Sequence, residues 1–148
     1  MRCLLGGGAV SYDIANPDPA GMIASLRSFG YTIEAAVADL VDNSLAAGAG
    51  AVEVVFTWNG ADSWVAVVDD GRGMDETDLV TAMTIAARGP TAARGPQDLG
   101  RFGMGLKSAS FSQAARLTVS TWCSGGADHV RTWDLEVVTR TGEWRLQR

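Results

Sequence analysis

The chain has 148 residues, 47% of them hydrophobic and 20% charged, with 17 acidic side chains against 12 basic ones. That is the size and composition of one globular domain or part of a larger one. No run approaches the ~18 apolar residues of a membrane-spanning helix, and a net charge of −5 makes the chain as a whole a poor non-specific ligand for nucleic acid.

Two cysteines, Cys3 and Cys123, make neither a disulfide framework nor a zinc spacing. The apolar run near Met1 is too short for a signal peptide. A cytoplasmic, reducing location is therefore expected. With one histidine, His129, sites built on imidazole have little to work with.

Residues 1–16 read as a flexible lead-in, and 17–148 as one domain. Asp18-Pro19 opens a helix, Asp as N-cap and Pro at the first helical position. Met22, Ile23, Leu26 and Phe29 give it an apolar face, and Gly30 ends it. Thr32 caps a second helix running to about Ala47, with Gly48 as its stop. Val52, Val54, Phe56 and Trp58 then alternate with Glu53, Val55 and Thr57, which predicts a strand. Its hairpin partner is 63–68, with Asn59-Gly60 in the connection.

A helix is predicted over 75–87, with Leu79, Met83 and Ala86 on one side. Residues 88–101 carry two Gly-Pro pairs and read as either a disordered connector or a lid. Phe102-Gly103-Met104-Gly105 leads into a helix through about Gln113. Strands are expected at 116–123, 130–138 and 143–147, with Gly125-Gly126 turning the chain between the first two. The order α-α-β-β-α-lid-α-β-β-β favours an α+β sandwich over a βαβ winding. Met22, Met83 and Trp64 fit core positions. Cys123 fits a buried thiol, and His129 a structural or exposed place.

Three clusters carry chemistry. On the second helix, Ile33, Val37, Leu40, Val41 and Ser44 form a stripe that would pack on the sheet. Asp39 and Asn43 stand one turn apart at its border, while Asp42 points to the far side and Glu34 lies at the other border. A carboxylate in that place can take a proton from water, and an amide oxygen beside it can ligate Mg²⁺. Taken alone, such a pair is ordinarily a solvated face.

Asp69-Asp70-Gly71-Arg72-Gly73-Met74 ends the second strand. Its glycines allow a tight turn and a close ligand, and its acid can accept from an exocyclic amine. Taken alone, such a cluster is more often an acidic β-turn. The third cluster is Gly100-Arg101-Phe102-Gly103-Met104-Gly105-Leu106-Lys107-Ser108, a glycine-rich entry to a helix and so an anion site. Its spacing is neither a dinucleotide fingerprint nor a Walker loop.

In order and spacing the three resemble the GHKL ATPase superfamily of gyrase-type topoisomerases, heat-shock chaperone ATPases, sensor histidine kinases and mismatch-repair ATPases. The resemblance spans about Gly30 to Thr121. Gly-Arg-Phe-Gly-Met-Gly-Leu-Lys-Ser-Ala-Ser looks nearest the chaperone, mismatch-repair and microrchidia-type branches. It implies an α+β fold of the Bergerat type, a two-layer sandwich whose mixed sheet is covered on one face by helices. It also implies ATP and Mg²⁺ as ligands, and a nucleotide-driven switch in which a lid closes and a homodimer or partner contact follows. Nucleic acid would be met only through regions outside these residues.

The family's acid four residues before its box Asn activates water. Here that is Asp39, one methylene shorter than the usual Glu. The Mg²⁺-ligating Asn corresponds to Asn43 and the adenine-binding Asp to Asp69. Gly71 and Gly73 would lie against the nucleotide, with Met74 along the base. Gly100, Arg101, Phe102, Gly103, Met104 and Gly105 would wrap the phosphates. Arg88 and Arg94 are further phosphate candidates. Lys107 resembles a phosphate-side Lys of the nearest branches, or else is a solvated helix residue.

The family's later Gly-Thr, which helps to hold adenine, has no counterpart here, and Thr118 and Thr121 come too early. The expectation is a chain truncated before that strand. The readings that follow are a Mg²⁺-dependent ATPase, a non-hydrolysing ATP-binding module, and last a histidine kinase catalytic domain.

Overall fold

In the computed structural model, which describes residues 11–28, 30–86 and 105–148, helices begin where capping side chains stand. The carboxylate of Asp18 accepts from the Gly21 amide at 2.7 Å and starts α1 (Pro19–Arg27). Thr32 does the same for α2 (Ile33–Ala46), and Asp75 for α3 (Glu76–Met83). An N-cap of this kind is worth roughly 1 kcal/mol because it satisfies an amide that has no partner inside the helix. α4 is Gly105–Gln113 and α5 is Leu135–Thr141.

The strands are β1 (Val52–Thr57), β2 (Trp64–Asp69), β3 (Arg116–Thr121) and β4 (His129–Asp134). The expected α+β class holds. Among the described residues the strands make two antiparallel pairs, β1 with β2 and β3 with β4. Val52 faces Asp69 in the first pair and Arg116 faces Asp134 in the second.

The core gathers α1, α3, α4 and α5 on the β3–β4 pair. Leu26, Leu79, Met83, Phe111, Trp133 and Val138 are buried together. The indole N–H of Trp133 donates to the Met83 carbonyl at 2.9 Å, so this buried aromatic also closes the end of α3. Arg27 reaches from α1 to the carbonyls of Phe111 and Ala114, at 2.8 and 2.9 Å, and caps α4. The β1–β2 hairpin stands outside this core and packs on α2. Its Phe56 and Trp58 rings stack at 6.1 Å and remain largely exposed.

Several sequence expectations need correction. α3 stops at Met83 rather than near residue 87, and Ala86 has left the helix with a φ of 54°. The strand expected over 130–138 ends at Asp134. There the Asp134 carboxylate accepts from the amides of Glu136 and Val137 and turns the chain into α5. Leu135 and Val138, three apart, bury one face of that helix, and Gly142 ends it at a φ of 66°. A run of β-branched residues hides these helix signals from a reading of propensity.

The strand expected at 143–147 reduces to one bridge between Thr132 and Gln147. β3 ends at Thr121 rather than at residue 123, and the hairpin loop carries a short 3₁₀ turn at Gly60–Asp62. Trp64 is 51% exposed, since it lies on the hairpin face turned away from α2. Cys123 is half-buried rather than buried. Phe29, the lead-in to residue 10, the proposed lid with Arg88 and Arg94, and Gly100, Arg101, Phe102, Gly103 and Met104 lie outside the described residues.

Candidate functional site

α2 is the element on which the three sequence clusters meet. Its expected apolar stripe is only half-buried at Ile33, Val37, Leu40 and Val41. The positions that close fully are small ones, Ala36 and Ser44. Small side chains let α4 and β2 approach closely, and both touch α2.

Ser44 ties the first cluster to the second. Its hydroxyl donates to Asp69 Oδ2 at 2.9 Å, while the Gly71 amide donates to Asp69 Oδ1 at 2.9 Å. Both carboxylate oxygens of Asp69 are therefore held in place at the end of β2. A Cβ on Gly71 would stand 2.8 Å from Asp69 Oδ1 and 2.9 Å from the Ala47 Cβ, so no side chain fits there.

Gly73 is pressed against the end of β3. Its φ is 67°, and a Cβ would fall 1.6 Å from the Trp122 carbonyl oxygen. The next amide, Met74, donates to Thr121 Oγ1 at 3.0 Å. Gly71 and Gly73 thus let the chain pack closely on itself at this turn. Met74 is half-buried against the core.

Asp70 has a different task from its neighbour. Its Oδ1 accepts from the amides of Gly50 and Ala51, at 2.7 and 2.8 Å, and these bonds hold its carboxyl below the usual range. It fastens the turn between α2 and β1. Arg72 adds a hydrogen bond from its guanidinium to the Ala46 carbonyl at 3.0 Å.

Asp39 ties the first cluster to the third. It is half-buried, and its Oδ2 accepts from the Tyr31 hydroxyl at 2.8 Å. A Cβ on Gly105, the first residue of α4, would lie 3.9 Å from the same oxygen. Asn43 turns its amide nitrogen back to the Asp39 carbonyl at 2.8 Å. The side chain is exposed, and its Oδ1 is the kind of oxygen donor that a hard cation such as Mg²⁺ takes. Among the described residues no cluster of three metal-ligating side chains occurs. Mg²⁺ ordinarily asks for one or two protein oxygens beside phosphate and water, so the donor set here fits that ion with a phosphorylated ligand. Asp42 and Glu34 are exposed.

Lys107 is neither solvated nor turned outward. It is 2% exposed, and its ammonium donates to the Ala82 carbonyl in the last turn of α3 at 2.7 Å. Burial pushes its pKa down to about 8. Three residues bearing on the clusters, Tyr31, Ser44 and Thr121, escaped the sequence reading. Ser44 was placed in a packing stripe and Thr121 on a strand, and no spacing rule marks Tyr31. No described helix is long and apolar enough to cross a membrane.

Two comparisons with known proteins bear on the family of this chain. Residues 31–148 match the model of the family described as histidine kinase-, DNA gyrase B-, and HSP90-like ATPase. The chain is also 34% identical, over 103 residues, to the DNA mismatch repair protein MutL of Rhodospirillum rubrum. That match takes in 69% of this chain and 16% of the relative, so the chain spans a small part of the curated protein it resembles.

Proposed function

The chain belongs to the histidine kinase-, DNA gyrase B-, and HSP90-like ATPase family, and from that premise we propose that it binds ATP with Mg²⁺, hydrolyses it, and uses the cycle as a conformational switch. The observation that carries the reading is the convergence on α2. Ser44 holds the carboxylate of Asp69, and Asp39 stands beside the first residue of α4. One helix thereby joins an acid suited to an adenine amine, an acid suited to water, and the start of a glycine-rich anion site.

In this reading the fold is a two-layer Bergerat sandwich with ATP between the helices and the sheet. Asp69 accepts from the adenine amino group; its own bonds to Ser44 and Gly71 fix the direction in which it can do so. Met74 lines the base beside Gly71 and Gly73. The backbone amides from Gly100 to Gly105, with Arg101, Phe102 and Met104 among them, surround the phosphates at the positive end of the α4 dipole. Asn43 Oδ1 would hold Mg²⁺, whose chemistry is to neutralise charge on the phosphates. Asp39 takes the proton of the attacking water as general base.

Lys107 supports the base of α4 through Ala82 rather than reaching phosphate in the conformation described. A nucleotide-dependent homodimer completes the switch. The compartment is the cytoplasm.

Binding and turnover test the reading separately. Asp69→Asn removes a charge-assisted hydrogen bond worth about 1.5–3 kcal/mol, and calorimetry is expected to show ATP affinity falling roughly 10- to 150-fold. Asp39→Asn is expected to lower single-turnover hydrolysis by roughly 10²–10⁴ with binding retained, and Asp42→Asn to leave it unchanged. ATP binding without turnover in the wild-type protein would instead identify a non-hydrolysing module.

A further inference from the structure

Tyr31 sits in the short connection between α1 and α2, and the structure ties it down at both ends. Its hydroxyl donates to Asp39 Oδ2 at 2.8 Å, eight residues further along the chain. Ser108, on α4, is a second hydrogen-bond partner of the same hydroxyl. Its backbone carbonyl accepts from Gln113 Nε2, near the other end of α4, at 2.7 Å. The phenol therefore spans the contact between α2 and α4, where the first and third clusters come together.

The bond to Asp39 makes the phenol harder to ionise, since a phenolate would face a carboxylate, and its pKa is raised above the ordinary value. Tyr31 stays a donor at any physiological pH. Three neighbouring polar groups are engaged elsewhere. Lys107 donates to Ala82, Asp69 is bonded to Ser44 and Gly71, and Asn43 faces the Asp39 carbonyl rather than its carboxylate.

We infer that Tyr31 is a positioning residue for Asp39: it fixes Oδ2, the carboxylate oxygen beside Gly105, and so holds the carboxylate at the start of α4. The inference rests on the reading of Asp39 as general base and adds how that short acid is aimed. A free Asp side chain spreads over several rotamers, and only a narrow set of orientations serves proton abstraction. Holding Oδ2 on the phenol restricts the carboxylate to the orientation that places it beside Gly105. Tyr31 touches neither substrate nor metal in this account; it acts through Asp39.

The test uses the full-length protein and Tyr31→Phe, which keeps the ring and deletes only the hydroxyl. Single-turnover hydrolysis is expected to fall roughly 10-fold, as the loss of one hydrogen bond to a charged group implies, with KM for ATP within about two-fold. In the Asp39→Asn background the same change is expected to have no further effect, because the group it positions is gone. A structural role would lower both backgrounds alike.

With tyrosine labelled at its ζ carbon, the Tyr31 resonance is expected to shift in Asp39→Asn while that of exposed Tyr12 stays in place; the spectrum also shows whether each variant is folded. Full activity in Tyr31→Phe, an additive loss in the double variant, or a Tyr31 resonance blind to Asp39 would each overturn the inference. If Asp39→Asn itself hydrolyses ATP at the wild-type rate, the general-base reading fails instead, and the inference falls with it.

Discussion

Lys107 gives the structure a pH dependence that can be worked out in advance. Its ammonium is buried and bonded to the Ala82 carbonyl, and its pKa is lowered from 10.5 to about 8 by desolvation. Folding therefore favours the neutral amine. Below about pH 8 the native state carries a buried charge that the unfolded chain keeps in water, and the full penalty applies. Between about pH 8 and pH 10.5 the unfolded chain holds more protons than the native one, so stability rises with pH. At about 1.36 kcal/mol for each pH unit between the two pKa values, the whole effect is about 3 kcal/mol, and about 2–3 kcal/mol of it lies between pH 7.5 and pH 10.

The neutral amine still donates to Ala82, so the cap on α3 survives the titration. The assay is urea unfolding of the wild-type protein and of Lys107→Met, which has similar length and no charge. Every other titrating group is common to both, so their difference isolates Lys107. The wild-type protein is expected to gain about 2–3 kcal/mol on the variant as pH rises from 7.5 to 10. A difference that stays flat across that range would refute the argument, because the ammonium would then have to be solvated in the folded state.

Two stability predictions accompany this one. Gly73→Ala adds a Cβ that would meet the Trp122 carbonyl oxygen at 1.6 Å from a backbone at a φ of 67°. It is expected to cost about 4 kcal/mol or more, read by chemical unfolding, and native-like stability would mean that the junction of β2 and β3 is looser than described. Asp134→Ala removes both the cap of α5 and the partner of Arg116, at 2.9 Å. A loss of roughly 1–2 kcal/mol is expected. Because Arg116 and the α5 amides hold the Asp134 carboxyl below the ordinary range, its contribution is present above the unfolded pKa and lost as pH falls through the folded one. The gap between wild type and variant should therefore narrow in acid, as thermal melts at pH 3 and pH 7 would read.

The helix starts were legible because an N-cap is a local event: Asp18, Thr32 and Asp75 act within three residues of themselves. So was the β1–β2 pairing, whose alternation and turn lie within one short stretch. The end of α3 was not, because Trp133, fifty residues away, supplies the bond that closes it. The α5 helix was misread because Val137, Val138 and Thr141 favour strands by propensity, whereas Asp134 and the burial of Leu135 and Val138 decide the outcome. At the candidate site, the types and spacing of Asp39, Asn43 and Asp69 were legible as motifs. What holds them was not. Tyr31 and Ser44 reach their carboxylates across eight and twenty-five residues, and a single hydroxyl at such a distance leaves no periodic trace. A glycine carries the same ambiguity. Gly73 reads as room for a ligand, and in the fold its missing Cβ also makes room for Trp122. A sequence therefore tells which groups are able to do the chemistry sooner than it tells which neighbours aim them, and the aim of Asp39 depends on a phenol that no motif contains.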